Sequence, residues 1–334
     1  MINLRKPYLL FVGDVREGPS AKTAYGIRDW AREACLGQMR LSPHAVDLGL
    51  PDLDVATAGA KGCGSLVIGV APVGGQIPAD WNNALVEAAA AGIDIVSGMH
   101  MPLRDIAGLQ EAAAASGARL IDIRVPPSGL APASGRWRSG KRLLTVGTDC
   151  ALGKKYTALA LAKAMRDMGA KADFRPTGQT GIIIAGSGIP MDAVISDFIS
   201  GAAECLTPDA AEDHWDVIEG QGAIHHPAYA GVTLGLLHGS QPDILVLCHE
   251  PGRRHHYAFP DYPLRSMREV ARACLEAARV TNPIVRLGAV SLNTSKLNDE
   301  ECRVALEEAE AELGVPAFDP MRTSLDRAVM AILG

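Results

Sequence analysis

The sequence predicts an α/β fold in two domains, each built on a parallel sheet, and three observations carry that expectation. The chain has 334 residues, more than one core usually serves at ~100–200 residues per domain. Short apolar, β-branched runs alternate with longer Ala-rich segments of helical period, the pattern of strands buried on both faces by helices. The stretch 126–140 (PPSGLAPASGRWRSG) is so dense in Pro, Gly and Ser that it holds no regular element, and the alternation restarts after it.

The elements follow in order. Strands are expected at 8–14 (YLLFVGD), 45–50 (AVDLGL), 65–70 (SLVIGV), 93–98 (IDIVSG) and 119–125 (RLIDIRV), with helices at 21–36, 80–91 and 105–116 between them. The linker proper is placed at 131–140, giving domains at 1–130 and 141–334. In the second domain RLLTVGTD (142–149) reads as a strand entering a glycine turn, and 153–168 as a strong helix. Further strands are expected at 172–175, 215–219, 243–248 and 284–292, and helices at 264–279 and 298–313. The apolar run 182–185 also has strand length.

Composition narrows the function. Hydrophobic residues make up 48% and charged residues 21%, which excludes global disorder. The net charge of −6 argues against a broad nucleic-acid or anionic-membrane surface, so the expected partners are small molecules. No apolar run is long enough for a signal h-region or a membrane span. The seven cysteines are scattered, with no C-x-x-C pair, which fits a reducing cytoplasm and neither a disulfide framework nor a zinc knuckle. A homo-oligomer is the default assembly for such an enzyme.

The most informative segment is Gly147-Thr148-Asp149-Cys150-Ala151-Leu152-Gly153-Lys154. It follows an apolar strand and opens a helix, the context that a phosphate-binding loop requires. Glycines let backbone N–H groups approach an anion, the helix dipole adds positive potential, and Lys154 can reach phosphate oxygens. Five residues separate the glycines where the standard motif has four. The residue after the lysine, which should carry a hydroxyl for Mg²⁺, is Lys155. An ammonium has no lone pair for a metal. A metal-free, pyrophosphate-bearing ligand such as coenzyme A therefore fits better than Mg·ATP.

Other groups cluster at predicted strand ends, where open α/β sheets bind ligands. Glu219 follows 213–218 and is a candidate to accept or orient an ammonium proton, or a structural carboxylate bonded to loop N–H groups. Of the pair His225-His226, His226 is favoured as a proton acceptor or oxyanion donor. His249, Arg253 and Arg254 end the strand at 244–248, and two guanidinium groups there suit a carboxylate or phosphate. A histidine-rich metal site in the run His249–His256 is the alternative, but neither an H-x₃-H helix pair nor a neighbouring Cys/Asp set supports it, so no metal is expected. Thr177, Gln179 and Thr180 offer neutral donors and acceptors to a small polar substrate, or stabilise their own turn. In the first domain Gly13-Asp14, Lys22, Thr23, Arg28 and His100 are candidates for the opposite wall of an interdomain cleft; surface ion pairs explain Lys22 and Arg28 equally well. The segment 69–75 (GVAPVGG) can cradle an anion but lacks the G-x-G-x-x-G of a nicotinamide site. Asn293 can pair with an adenine edge.

GTDCALGKKYTA, PTGQTG (176–181), EGQGAIHHPAY (219–229), KTAYGIRDW (22–30), SGMH (97–100), HEPGRR (249–254) and SLNT (291–294) together resemble the signature set of bacterial D-glutamate N-acetyltransferases of the DgcN type. The resemblance runs the whole length. It implies an N-terminal Rossmann-like domain, a C-terminal P-loop NTPase-like domain, and acetyl transfer from acetyl-CoA, as co-substrate, to the amino group of D-glutamate. On that reading Gly147, Thr148, Asp149, Gly153, Lys154 and Asn293 hold the cofactor, and Glu219, His226 and Lys155 serve catalysis. Thr177, Gln179, Thr180, His249, Arg253, Arg254, Lys22 and Arg28 then face the substrate. The second domain alone is similar to dethiobiotin synthetase, which makes an ATP- and Mg²⁺-dependent ligase or kinase the rival enzyme. A non-catalytic coenzyme A- or nucleotide-binding protein is the rival outside enzymes. Lys155 departs from the synthetase pattern at the metal-ligating position.

Overall fold

The computed structural model describes residues 3–70 and 75–334. It forms two compact units, 1–125 with 179–190, and 126–178 with 191–334. The division differs from the expected one in two ways. The Pro/Gly/Ser stretch 126–140 belongs to the second unit, and a short excursion, 179–190, belongs to the first.

The first unit is a five-stranded parallel sheet of β1 (Tyr8–Gly13), β2 (Cys35–Arg40), β3 (Ser65–Ile68), β4 (Asp94–Ser97) and β5 (Leu120–Asp122), in the order β2-β1-β3-β4-β5. Every residue of β1 is buried, which explains its unbroken apolar run. Helices α1 (Lys22–Trp30), α2 (Val55–Ala60), α3 (Asn82–Ala90) and α4 (Leu109–Ser116) connect the strands. Asp54 caps α2 by accepting from Thr57 N at 2.7 Å. Phe11 meets Trp81 edge-on at 5.2 Å, and Trp81 Nε1 donates to Asp14 at 3.0 Å.

Two sequence expectations fail here. The helix expected over 21–36 stops at Trp30, and its last residues join β2 instead. The expected strand 45–50 is irregular chain. It is held by Gln38, whose Nε2 donates to Asp47 at 2.8 Å and whose Oε1 accepts from Leu48 N at 2.7 Å. Periodicity alone does not separate an apolar strand from an apolar loop tied down by one buried amide.

The second unit carries a six-stranded parallel sheet. Its elements run β6 (Lys141–Gly147), α5 (Lys154–Asp167), β7 (Lys171–Arg175), α7 (Ile199–Leu206), β8 (His214–Ile218), α8 (Ala230–Ser240) and β9 (Ile244–His249). Between β7 and α7 the chain forms α6 (Gln179–Ala185), which packs in the first unit. The run 182–185 is thus helix rather than strand. An antiparallel hairpin of β10 (His255–His256) and β11 (Phe259–Pro263) follows, then α9 (Met267–Ala278), β12 (Arg286–Leu292), α10 (Asp299–Leu313), β13 (Ala317–Phe318) and α11 (Asp326–Leu333). Capping boxes Ser266–Glu269 and Asn298–Glu301 start α9 and α10.

The sheet order is β13-β12-β9-β6-β8-β7. The chain leaves β6 toward β7 and β8 on one side, then continues to β9, β12 and β13 on the other. The carboxyl end of β6 is the topological switch point, where such sheets open a crevice. No helix among the described residues is long and apolar enough to cross a membrane.

Candidate active site

The loop from Gly147 to Lys154 leaves β6 at that switch point and ends in α5. Thr148 N donates to Cys248 O on β9 at 3.1 Å, and Gly153, at φ 107°, feeds the helix. Ala151 also takes a left-handed φ of 53°. Lys154 is buried, its Nζ donating to the Asp149 carbonyl at 2.7 Å inside the curl of the loop. A Thr157 hydroxyl, two positions beyond Lys155, bonds Ser291 Oγ at 2.7 Å beneath the loop.

On one side, the end of β8 presses against β6. Gly220 N donates to Thr145 Oγ1 at 2.8 Å, and a Cβ at Gly220 would lie 1.6 Å from Thr145 O, so only glycine fits. That approach fixes Glu219, whose Oε2 accepts from Thr177 N at 3.1 Å and Gly178 N at 3.2 Å. Burial pushes the Glu219 carboxyl above the usual carboxylate range, opposed by Lys155, the two amides and Lys154.

On the other side, the β9 end and the following hairpin close over the Asp149 carboxylate. This carboxylate, fully shielded, accepts from Arg253 Nη1 at 2.9 Å, Tyr257 N at 2.7 Å and His256 Nδ1 at 3.0 Å. Burial alone would raise its pKa, but those donors hold it below the ordinary range. His226 Nε2 lies 3.7 Å from Asp149 Oδ1. Its ring stacks on Tyr229 at 4.7 Å and meets His256 and Phe259 edge-on at 5.0 and 5.1 Å. Burial lowers the His226 pKa, against the pull of Asp149, so the ring is neutral near pH 7.

Several expected ligand-facing groups are committed within the protein. The Asp149 carboxylate is enclosed and presents no oxygen to a cofactor. Arg253 ties the loop down, donating also to Cys150 O at 2.9 Å and pairing with Glu250, which Lys296 Nζ meets at 2.5 Å. Thr177 Oγ1 donates to Glu219 O at 2.8 Å. Thr148 Oγ1 and His249 Nδ1 bond one another at 2.8 Å. Asn293 Oδ1 accepts from Ser295 N at 3.2 Å, forming its own turn. Arg254 stays exposed beside the hairpin.

In the first unit, Thr180 Oγ1 donates to Thr23 Oγ1 at 3.1 Å and Gln179 packs on Gly98, so the Thr177–Gly181 motif divides between the two units. Lys22 is exposed at the start of α1. Arg28 donates to Asp29 at 2.8 Å and to Leu48 O at 3.2 Å and stacks on Tyr25, the surface-ion-pair alternative. His100 is exposed near Gly75; residues 71–74 of the segment 69–75 lie outside the described residues.

The residues that sequence reasoning missed are His256 and Tyr257. They meet Asp149 across more than a hundred positions, and only the hairpin, with Ala258 at φ 64°, brings them there.

Fold and site define an α/β protein with a Rossmann-like domain and a P-loop domain whose loop lacks the hydroxyl that ordinarily ligates Mg²⁺. The chain belongs to the DUF1611 family: residues 131–329 match the model described as "Domain of unknown function (DUF1611_C) P-loop domain", and residues 41–126 the one described as "Domain of unknown function (DUF1611_N) Rossmann-like domain". A curated relative from Tritonibacter scottomollicae is 47% identical over 98% of this chain and 99% of its own length, and one from Pseudoalteromonas sp is 44% identical over the same shares. Both are named D-glutamate N-acetyltransferase. The crystal structure of a DUF1611 family protein from Anabaena variabilis ATCC 29413 superposes with a TM-score of 0.89 at 32% identity, covering 98% of this chain and 99% of that one.

Proposed function

We propose that this chain is a D-glutamate N-acetyltransferase, moving the acetyl group of acetyl-CoA to the amino group of D-glutamate. The observation that carries the reading is the 47% identity across 329 residues to a relative of that name. The chemistry at the loop supports it. Acetyl transfer needs a neutral amine, a polarised thioester carbonyl and exclusion of water, and no metal is required for any of these.

The backbone N–H groups of Gly147–Lys154 and the ammonium of Lys154 take the coenzyme's diphosphate, and Lys155 adds charge in place of the missing hydroxyl. Asn293, which follows β12, would offer its Nδ2 to the adenine edge. His226 acts as a donor rather than a base. Its Nδ1 accepts from Ala228 N at 3.1 Å and Tyr229 N at 3.2 Å, so the neutral ring carries its hydrogen on Nε2, on the side of the Asp149 carboxylate 3.7 Å away. Glu219, between the loop and the Thr177–Gly178 turn, orients the acceptor amine, and Arg254 attracts the substrate carboxylates. Seven free cysteines support a reducing, cytoplasmic setting, and a homo-oligomer is the expected assembly.

The test is incubation of the protein with acetyl-CoA, D-glutamate and a thiol reagent in the presence of EDTA. Thiol release that requires both substrates is the expected result. Turnover only after ATP and Mg²⁺ are added would transfer the chain to the ligase class. Stabilisation by coenzyme A with no acceptor turned over, among amino acids of either hand, would make it a binding protein.

A further inference from the structure

Two imidazoles flank the buried Asp149 carboxylate, and their hydrogen-bond partners assign them opposite tautomers. His226 has amide donors on Nδ1, so Nε2 carries its hydrogen. His256 faces Asp149 Oδ1 with Nδ1, at 3.0 Å. Asp149, enclosed by Arg253 and Tyr257 N–H, is ionised and can only accept. The hydrogen of His256 therefore lies on Nδ1, and the lone pair on Nε2. This is the carboxylate–imidazole arrangement that leaves a ring nitrogen free to take a proton and stabilises the imidazolium that forms.

The same three side chains place ligand atoms within 4.8 Å of one another, close enough to surround a cation. The tautomers argue against that use. The only lone pair of neutral His226 points at two amide N–H groups, its Nε2 has a hydrogen where a metal would need electrons, and the Arg253 guanidinium stands on the same carboxylate. His226 Nε2 is instead a buried N–H beside the Asp149 carboxylate, 3.7 Å from Oδ1.

We propose that His256 is the general base of acetyl transfer, with Asp149 as its positioning residue; the proposal rests on the acetyl-transfer reading above. The D-glutamate nitrogen attacks the thioester carbon, forming the C–N bond as the carbonyl electron pair moves to oxygen. His256 Nε2 accepts one proton from that nitrogen. The C–S bond then breaks with its electron pair on sulfur, and the thiolate takes the proton back from the His256 imidazolium. Products are N-acetyl-D-glutamate and free coenzyme A, and the ring returns to its starting tautomer. Aromatic contacts with Tyr229 and Phe259 hold the His226 ring, which meets the His256 ring edge-on.

The experiment pairs ¹⁵N-histidine NMR of the intact protein with thiol-release kinetics. NMR should find His256 protonated on Nδ1 and His226 on Nε2. Relative to wild type, His256→Ala should lose about a hundredfold to ten-thousandfold in kcat, the range for a positioned base. KM for both substrates should stay within about threefold, and added imidazole should restore part of the rate. His256→Gln serves if the alanine variant does not fold. A His256 ring protonated on Nε2, or a variant within about threefold of wild-type kcat, overturns the proposal. Wild-type protein that releases no thiol removes the acetyl-transfer reading and the base role together, and is distinguished by leaving the tautomers as described.

Discussion

Among the carboxylates that the protein buries against arginine, Asp94 and Asp149 sit at opposite strand ends of two similar parallel sheets, and they differ in everything else. Asp94 opens β4 in the first unit. It receives Arg5 Nε at 2.7 Å, Arg119 N at 2.7 Å and Arg119 Nε at 2.8 Å, every donor a permanent one. Asp149 follows β6 in the second unit and receives one arginine, one backbone amide and an imidazole. The first arrangement sits at the amino end of a strand and has no proton to give or take near pH 7. The second sits at the carboxyl end, beside the phosphate loop, and holds two rings that can change protonation. A buried ion pair is weak evidence of function, but one built from imidazole at a switch point retains chemistry that one built from guanidinium lacks.

That contrast sets the expected effects. Asp94→Ala should cost the most stability, about 1–3 kcal/mol by urea unfolding, because Arg119 N and two half-exposed guanidinium groups lose their common acceptor. A loss under about 1 kcal/mol would make Asp94 an ordinary surface pair. Lys154→Ala should weaken acetyl-CoA binding in calorimetry by at least ~1 kcal/mol, the scale of a charge-assisted hydrogen bond. Unchanged affinity would remove the loop from the site.

The pH dependences should run in opposite senses. Asp94 is held below its unfolded pKa: burial would raise it, but Arg5 and Arg119 outweigh that. Its contribution is present above the unfolded value and lost as pH falls through the folded one. Glu219 is raised by burial, so its contribution is present below the unfolded value and lost as pH rises through the folded one. Glu219→Gln keeps an oxygen for Thr177 N and Gly178 N. Its stability relative to wild type should therefore climb as pH rises above the ordinary glutamate range, and a flat difference would contradict the raised pKa. The smallest effect is expected at Arg28→Ala. With its donors on Asp29 and the Leu48 carbonyl, it should change stability by no more than ~0.5 kcal/mol and leave both KM values alone. A large rise in KM for D-glutamate would return Arg28 to the site.

Much of this organisation was legible in the residues. The fully buried β1 and β6, the strand–loop–helix context of Gly147–Lys154 and the strong α5 follow from local pattern, which is where periodicity and turn chemistry are most reliable. What local pattern missed was decided by distant partners. Residues 45–50 look like a strand until Gln38 ties them as a loop. The run 182–185 looks like a strand until α6 packs in the first unit. Helix α8 (AGVTLGLLHGS) is apolar nearly all round and gives no amphipathic signal. At the site, Arg253 and Arg254 read alike in sequence, yet one braces the loop and the other stays exposed. His256 carried no signal of its own, because its meaning comes from Asp149, 107 positions earlier.

A chemical Asp149 cluster and an architectural Asp94 cluster are separated by kcat of the paired amides Asp149→Asn and Asp94→Asn in the thiol-release assay. Asp149→Asn, whose amide disturbs the His256 tautomer, should lose at least about a hundredfold in kcat with KM little changed. Asp94→Asn should unfold at a lower temperature yet turn over like wild type while folded. An Asp149→Asn enzyme as fast as wild type, or two variants impaired alike, would contradict that division.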